Sequence, residues 1–361
     1  MPTSAPLLLL LGLTAAAPPA PPSTAEQLRT VCRTQGGDPR NPWALAHGIV
    51  LEGRNFRARD GRLAAEVIVS DFLRRDGSPG GRGLYFEPFA ADGTPVEPHP
   101  ALQVKTLLLA GFSASRKFQA SGGSVTLGAL VEELKRDFRP ELASSPEGAW
   151  TLDALAQVLP PGAAFRTGSG ETVRIDAMMD EALATLERAH EDLAAGMRAG
   201  LPQVPKQKQG IYTHPCGGLH FFQAVTSWAR HPAVRKAWGA RLDTQVDVLV
   251  YRLGSEARQY EAALSEAPST YRLPLLSQSL KFYGHFLETL GRYRRETGWS
   301  PTPPQRQAVT RAHQLLEATV RRLGEAGAWR ELETLQKEQP QLYLDLVGDA
   351  CHAAHGLAEW K

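Results

Sequence analysis

Apolar residues recur at helical spacing along most of this sequence, and this periodicity constrains the fold more than any other feature. In the stretch 172–199, Ile175, Met179 and Leu183 are each four residues apart, so they share one face of a helix. About a dozen such stripes occur, joined by short connections. They lie near 24–32, 42–53, 63–73, 101–112, 125–138, 150–159, 172–199, 218–230, 232–253, 256–266, 271–292, 304–324, 328–337 and 341–358. This number of helices predicts a mainly α fold of antiparallel helical hairpins, in an α/α array or a toroid-like closure.

One stretch interrupts the helical pattern with glycines, prolines and aromatic residues. Between residues 77 and 100 the sequence reads GSPGGRGLYFEPFAADGTPVEPHP. Asp92-Gly93 is a typical tight-turn pair, with the apolar residues 84–89 on one side of it. We therefore expect at most one small β-hairpin, near 84–98.

The first residues are typical of an export signal. Residues 7–17 form an uncharged apolar run that ends in small residues, as a secretory signal peptide requires. The run is too short for a membrane span, which needs about 20 residues, and no later stretch is long enough either. We predict a signal peptide over 1–17, a proline-rich leader over 18–23 and a mature protein without a stable membrane span. Export to the periplasm or the extracellular space follows, the periplasm being favoured because the alanine- and arginine-rich composition is typical of a high-GC bacterium.

A polar stretch divides the remaining chain into two parts. The sequence PQVPKQKQG, at 202–210, contains prolines and lacks apolar periodicity, which is typical of a linker or a long surface loop. The predicted organisation is an N-terminal helical half over 24–200, a linker or loop over 201–210 and a C-terminal helical half over 211–361. The length suits either two domains or one domain packed from both halves.

Charge excludes some classes of partner. The chain has 40 lysines and arginines against 38 aspartates and glutamates, and the basic residues are scattered singly or in pairs. A nucleic-acid-binding protein would concentrate them in a stripe or patch, so no nucleic-acid partner is expected. The sequence contains no common nucleotide-binding, zincin, hydrolase or c-type haem motif. A ligand or a protein partner is left open.

Two C-x-x-x-H pairs carry the chemical content of the sequence. Cys216 and His220 form one pair, and Cys351 and His355 form the other. Residues four apart share a helix face, so each pair could present a thiolate and an imidazole together, and two pairs could supply the four ligands of a zinc site. The candidate metal ligands are Cys216, His220, Cys351 and His355, with His352 and His214 as further candidates.

A three-residue subset gives an open version of the same site. Cys216, Cys351 and His352 would leave a fourth position for water or a thiol substrate. This set resembles the zinc ligands of lanthionine-synthetase cyclases, which are α/α toroids. The resemblance implies a catalytic zinc ion and is limited to these three residues.

Structural interpretations of the same residues stand beside the metal site. In an oxidising compartment two of the three cysteines can pair, and Cys216 with Cys351 would tie the last helix to the middle of the chain. Cys216 at a helix N-terminus is alternatively a candidate nucleophile, with His214 or His220 as its base. His47, on an apolar stripe, is expected to be a hydrogen-bonded core residue, with a shared centre with His355 as the alternative.

Two functions therefore remain open at this level. The first is an exported helical binding or scaffold protein whose cysteines are structural. The second is a zinc-dependent enzyme or metal-binding protein that uses the two C-x-x-x-H pairs. No catalytic residue and no cofactor other than zinc is predicted.

Overall fold

Helices dominate the protein, as the periodicity predicts. The computed structural model describes residues 22–78, 81, 83–205, 210–213 and 216–361. The predicted signal peptide, most of the leader, His214 and part of the 201–210 linker lie outside the described residues. The α-helices of the described chain are α1 (Thr24–Gly36), α2 (Pro42–Glu52), α3 (Ala64–Phe72), α4 (Leu102–Leu109), α5 (Leu127–Arg136), α6 (Gly148–Val158), α7 (Ile175–Ala189), α8 (Glu191–Arg198), α9 (Gly217–Ala229), α10 (Pro232–Glu266), α11 (Ser269–Thr297), α12 (Pro303–Glu325), α13 (Leu332–Glu338) and α14 (Pro340–Ala358).

Three two-stranded antiparallel hairpins accompany the helices of the described chain, each made of consecutive strands. The strands are β1 (Leu73–Asp76), β2 (Gly83–Phe86), β3 (Lys117–Ala120), β4 (Gly123–Thr126), β5 (Ala164–Arg166) and β6 (Thr172–Arg174). The expected 84–98 hairpin is replaced by β2, which pairs with β1, and by a single bridge between Phe89 and Pro95 around the Asp92-Gly93 turn. Strands of three or four residues are too short to show a recognisable alternation, which explains why sequence patterns predict only one hairpin.

Caps fix several helix starts. The Ser23 side chain accepts a hydrogen bond from the backbone of Glu26, whose carboxylate in turn accepts from the Ser23 backbone, and this closes a capping box at α1. The Asn41 side chain caps α2, whose first residue is Pro42. Both helices contact α14.

The long helix α11 lies at the centre of the packing. It contacts α9, α10, α12 and α14, and nearly all its residues from Leu276 to Tyr293 are buried. Helices of the two predicted halves pack directly on one another, since α1 and α2 contact α14 and α6 contacts α9. None of the described helices combines the length and the apolar character that a membrane crossing requires.

Small residues let α11 and α14 approach closely. A Cβ atom added at Gly284 would lie 2.8 Å from the Cβ of Ala353, and one added at Gly356 would lie 2.8 Å from the backbone oxygen of Gly284. Neither glycine could therefore carry a side chain without separating the two helices. The close approach brings His285 of α11 next to His352 of α14, with 4.1 Å between their ring centroids.

A disulfide joins the first and last helices. Cys32 of α1 is bonded to Cys351 of α14, with 5.0 Å between their Cα atoms. The expected bridge between Cys216 and Cys351 is therefore wrong. Cys351 faces α1, whereas Cys216 precedes α9 and remains a free thiol.

Candidate metal centre

A cavity of about 600 Å³ opens among α2, α4, α6, α9, α11 and α14. Its outer part is largely apolar and includes Phe89, whose side chain is 56% exposed, together with Trp43. Its inner end is polar. A volume of this size accommodates a small organic ligand.

Four buried histidines from four helices meet at the inner end of the cavity. His47 comes from α2, His220 from α9, His285 from α11 and His352 from α14. The ring centroids lie 4.9 Å apart for His220 and His285, 5.0 Å for His47 and His352, and 5.8 Å for His220 and His352. Two imidazoles bound to one zinc ion at about 2 Å have centroids roughly 5 Å apart. We call these four residues the histidine cluster.

Each histidine of the cluster directs its Nδ1 atom away from the others to a hydrogen-bond acceptor. His47 Nδ1 lies 2.7 Å from the backbone oxygen of Trp43, and His285 Nδ1 lies 2.9 Å from that of Lys281. The remaining acceptors are Gln223 Oε1, 3.3 Å from His220 Nδ1, and Glu288 Oε2, 2.9 Å from His352 Nδ1.

An acceptor at Nδ1 fixes the tautomer of a neutral imidazole. The proton resides on Nδ1, and the lone pair of Nε2 is left available. Metal-binding histidines are usually oriented by this kind of outer hydrogen bond. The described residues provide no hydrogen-bond partner for any of the four Nε2 atoms.

The buried carboxylate of Glu288 supports the cluster from behind. It accepts hydrogen bonds from His352 and from His355, each at 2.9 Å, and from the Gln223 side chain at 3.2 Å. Burial alone would raise the pKa of Glu288, but the two histidines hold it well below its ordinary value. A charged carboxylate behind His352 makes that imidazole a stronger metal ligand.

Cys216 adds a sulfur to the same group. It is the N-cap residue of α9, one turn before His220. Its sulfur and one nitrogen from each of His220 and His285 all lie within 4.8 Å of one another. Ligand atoms of His285, Glu288 and His352 form a second group of the same size, so His285 belongs to both. Burial raises the pKa of the Cys216 thiol to about 11, so the thiol is protonated until a cation displaces the proton.

Three histidines of the cluster, His47, His220 and His285, are neutral at physiological pH. Burial lowers the pKa of His47 to about 3, and it lowers the pKa of His220 and His285 well below the ordinary value. Positively charged rings would repel a cation, whereas neutral rings offer it their lone pairs. The lowered pKa values and the hydrogen bonds at Nδ1 therefore both leave the Nε2 lone pairs available to a cation.

Two buried lysines also line the cavity. Lys281 donates a hydrogen bond to Asp345 at 2.9 Å and lies 3.8 Å from Asp349. Lys105 of α4 lies 3.9 Å from Asp153, which is beyond hydrogen-bond distance. Lys281 is therefore hydrogen-bonded within the wall, whereas Lys105 has only a longer ion pair with Asp153 among the described residues.

The predicted ligands are only partly brought together. Cys216, His220 and His352 lie at the inner end of the cavity, as a shared site requires. Cys351 cannot contribute a thiolate because it is bonded to Cys32, so the set that resembles lanthionine-synthetase cyclases does not form. His355 donates to Glu288 and lies 3.4 Å from Glu359, behind the cluster. His214 lies outside the described residues.

Sequence reasoning missed His285 and Glu288 and assigned His47 to the core. All three are buried, but the two histidines line the cavity and Glu288 orients its neighbours. A signal was present on α11, where Lys281, His285 and Glu288 fall at helical spacing within an otherwise apolar stretch. Polar residues that share a face of a buried helix need partners, and this face marks the site.

Comparison with known proteins gives no relative for the chain. No protein-family model matches it, and neither a curated protein nor a solved structure is significantly similar to it.

Proposed function

We propose that this protein is a metalloprotein, and specifically a zinc-dependent enzyme whose metal ion lies at the inner end of the cavity. Cys216, His220 and His285 are the proposed ligands, with His352 beside them as the fourth. The observation that carries the proposal is the shared hydrogen-bond pattern of the histidines, in which every Nδ1 is held and every Nε2 is available. Within the described residues a single Nε2 without a partner also occurs in the core, at His190, but at the cavity four such atoms come together from four helices.

The donor set supports zinc over magnesium or calcium. Imidazole nitrogen and thiolate sulfur are ligands for zinc and copper, whereas magnesium and calcium prefer oxygen. Zinc also suits a centre in which Cys216 is the one sulfur donor.

The position of the cluster supports an enzyme over a purely structural metal site. Structural zinc ions are usually enclosed by four protein ligands, whereas catalytic ones face a space that a substrate can enter. Here the cluster faces a cavity of about 600 Å³. A bound zinc ion would supply a Lewis acid and an activated water molecule to whatever the cavity holds.

Metal content tests the proposal. Full-length protein is stripped with a chelator, reloaded with zinc, dialysed and analysed by mass spectrometry for metal per chain. We expect one zinc ion in the wild type and none in His285→Gln. The matched control is His190→Gln, because His190 is equally buried but lies outside the cluster and hydrogen bonds to Gln245.

Alkylation of Cys216 provides a second readout. Zinc should protect this thiol from iodoacetamide in the wild type and in His190→Gln, but not in His285→Gln. Zinc content that is equal in all three proteins, or absent from the wild type, would refute the metal centre and favour a binding or scaffold protein. Stoichiometric copper in place of zinc would keep the site and change the metal.

Export is part of the same proposal. The Cys32–Cys351 disulfide supports it, because such bonds persist in oxidising compartments and are rare in the cytosol. Mass spectrometry of the protein from its native source should give a mature chain that begins after the predicted signal peptide, at residue 18, with one free thiol. A chain that retains residues 1–17 or carries three free thiols would contradict export.

A further inference from the structure

Lys105 is a buried ammonium group that makes no hydrogen bond to any residue that the structure describes. Its side chain is 7% exposed and lines the cavity. The nearest carboxylate oxygen, on Asp153, is 3.9 Å away, and none of the described residues accepts a hydrogen bond from the Lys105 Nζ atom. A buried ammonium group has three N–H donors, and leaving their hydrogen bonds unformed costs free energy of folding.

The neighbouring carboxylate, on Asp153, already accepts hydrogen bonds from other residues. Asp153 accepts two hydrogen bonds from the Arg292 guanidinium, each at 2.8 Å, and one from Ser227 at 2.6 Å. Asp153 is therefore shared between Arg292, which hydrogen bonds to it and also to Glu296, and Lys105, which lies too far away to hydrogen bond to it. Burial lowers the pKa of Lys105 against the opposite pull of Asp153, as expected for a desolvated cation whose nearest carboxylate is shared with Arg292.

The other carboxylates that line the cavity lie beside Lys281 and not beside Lys105. Lys281 is the hydrogen-bonded partner of Asp345, and Asp349 lies close to the same lysine. Lys105 instead lies near the histidine cluster, where its charge contributes to lowering the pKa of His47 and of His220.

The cavity beyond Lys105 is suited to an apolar body. Trp150 is stacked on His99, with 4.0 Å between ring centroids and 6° between the ring planes. Trp43, Phe89 and Leu344 also line the space. A ligand that enters past these side chains would bury hydrocarbon surface before its end reaches Lys105.

We infer that the cavity binds an organic carboxylate, with Lys105 donating to the carboxylate group and the aromatic wall holding an apolar body. A single ammonium with three donors suits a singly charged carboxylate. The inference deepens the proposed function, because it names the substrate class of the same cavity and places the carboxylate next to the proposed metal ligands.

Three small probes separate the contributions of charge and apolar body. Benzoate carries both, benzyl alcohol lacks the charge, and acetate lacks the ring. Calorimetric titration of the wild type should give benzoate roughly tenfold or greater affinity over each of the other two, since a hydrogen bond to a charged group is stronger than one between neutral groups. Equal affinities for benzoate and benzyl alcohol would overturn the inference, and this result requires no variant.

Two lysine variants locate the effect. Lys105→Met keeps the length of the side chain and removes its charge, so benzoate affinity should fall roughly tenfold or more while benzyl alcohol affinity stays unchanged. Lys117→Met, on the exposed part of β3, is the control and should bind both probes as the wild type does. A loss of benzoate affinity in Lys117→Met as large as that in Lys105→Met would contradict a local site.

Every titration is made on metal-free and on zinc-loaded protein, so that the two proposals fail separately. Benzoate binding that depends on Lys105 in a protein that holds no zinc would sustain the carboxylate site and refute the metal centre. Zinc binding with no preference for benzoate would sustain the metal centre and refute the carboxylate site.

Discussion

The central helix α11 contributes to two buried polar clusters that use their hydrogen-bonding capacity differently. His285 belongs to the histidine cluster, and Arg292, two turns later, belongs to an ion-pair cluster with Asp153 of α6 and Ser227 of α9. Every nitrogen of the Arg292 guanidinium donates to an oxygen, two of them to Asp153 and the third to Glu296. Each histidine of the other cluster hydrogen bonds through one ring nitrogen, and the described part of the chain offers no partner to the second.

The contrast distinguishes a buried polar cluster that stabilises the fold from one that is arranged to bind a ligand. Burial raises the pKa of Asp153, but Arg292 outweighs this effect and keeps the carboxylate charged, so the ion pair is complete within the protein. It needs no ligand, and neither Asp153 nor Arg292 lines the cavity. In the histidine cluster only the Nδ1 atoms, which point away from the cavity, are hydrogen-bonded to described residues. The Nε2 atoms are left for a ligand, which is the arrangement of a preorganised ligand site.

The largest expected effect comes from breaking the complete cluster. Arg292→Met leaves the Asp153 carboxylate buried without its partner, which should lower the free energy of unfolding by about 3–5 kcal/mol. Urea denaturation followed by circular dichroism measures this change. The folded fraction should still bind one zinc ion, and a loss of zinc binding from folded protein would show that the two clusters are not separate.

Removal of the disulfide should have the next largest effect. Cys32→Ala combined with Cys351→Ala opens a covalent loop between residues 319 positions apart. We expect a loss of about 2–5 kcal/mol in the free energy of unfolding, with zinc still bound, because Cys351 is not a ligand in this account. Loss of zinc together with unchanged stability would reverse the assignment of Cys351.

The support behind the histidine cluster is tested by Glu288→Gln. The variant keeps an acceptor for His352 but removes the negative charge, so zinc affinity should fall about 10- to 100-fold. The matched control is Glu296→Gln on the same helix, which touches Arg292 and not the histidines. Competition titration with a zinc chelator measures both, and equal losses in the two variants would contradict a specific role for Glu288.

The smallest effect concerns His190, a buried histidine outside both clusters. Burial lowers its pKa to about 3 in the folded protein, whereas the unfolded chain titrates near the model-peptide value of 6.5. The unfolded state therefore binds the extra proton first, and stability falls as the pH drops below about 6.5, by at most about 1.4 kcal/mol per pH unit.

His190→Gln should remove this dependence. Urea denaturation of metal-free protein at pH 7.5 and 5.5 should show a smaller loss for the variant than for the wild type, by about 1 kcal/mol. Identical losses would mean that His190 takes up its proton in the folded state.

The sequence predicts the helices well because each apolar stripe extends over several turns. It predicts the ligands less well, because a spacing identifies a helix face but not the neighbour of that face. On α14, Cys351 turns towards α1, whereas His352, about 100° further round the helix, turns towards α11. The partner of Cys351 lies 319 residues away, and no local pattern could name it. His285 lies in the site because α11 packs closely on α14, and although Gly284 is beside it in the sequence, nothing local shows that this glycine faces Ala353 and Gly356 of α14.

X-ray absorption spectroscopy of the zinc-loaded full-length protein tests the central claim most directly. The account predicts one sulfur at about 2.3 Å from zinc and nitrogen ligands at about 2.0–2.1 Å, with the sulfur signal lost in Cys216→Ser and retained in the double variant of Cys32 and Cys351. A spectrum with oxygen ligands alone, or a sulfur signal that survives Cys216→Ser, would contradict it.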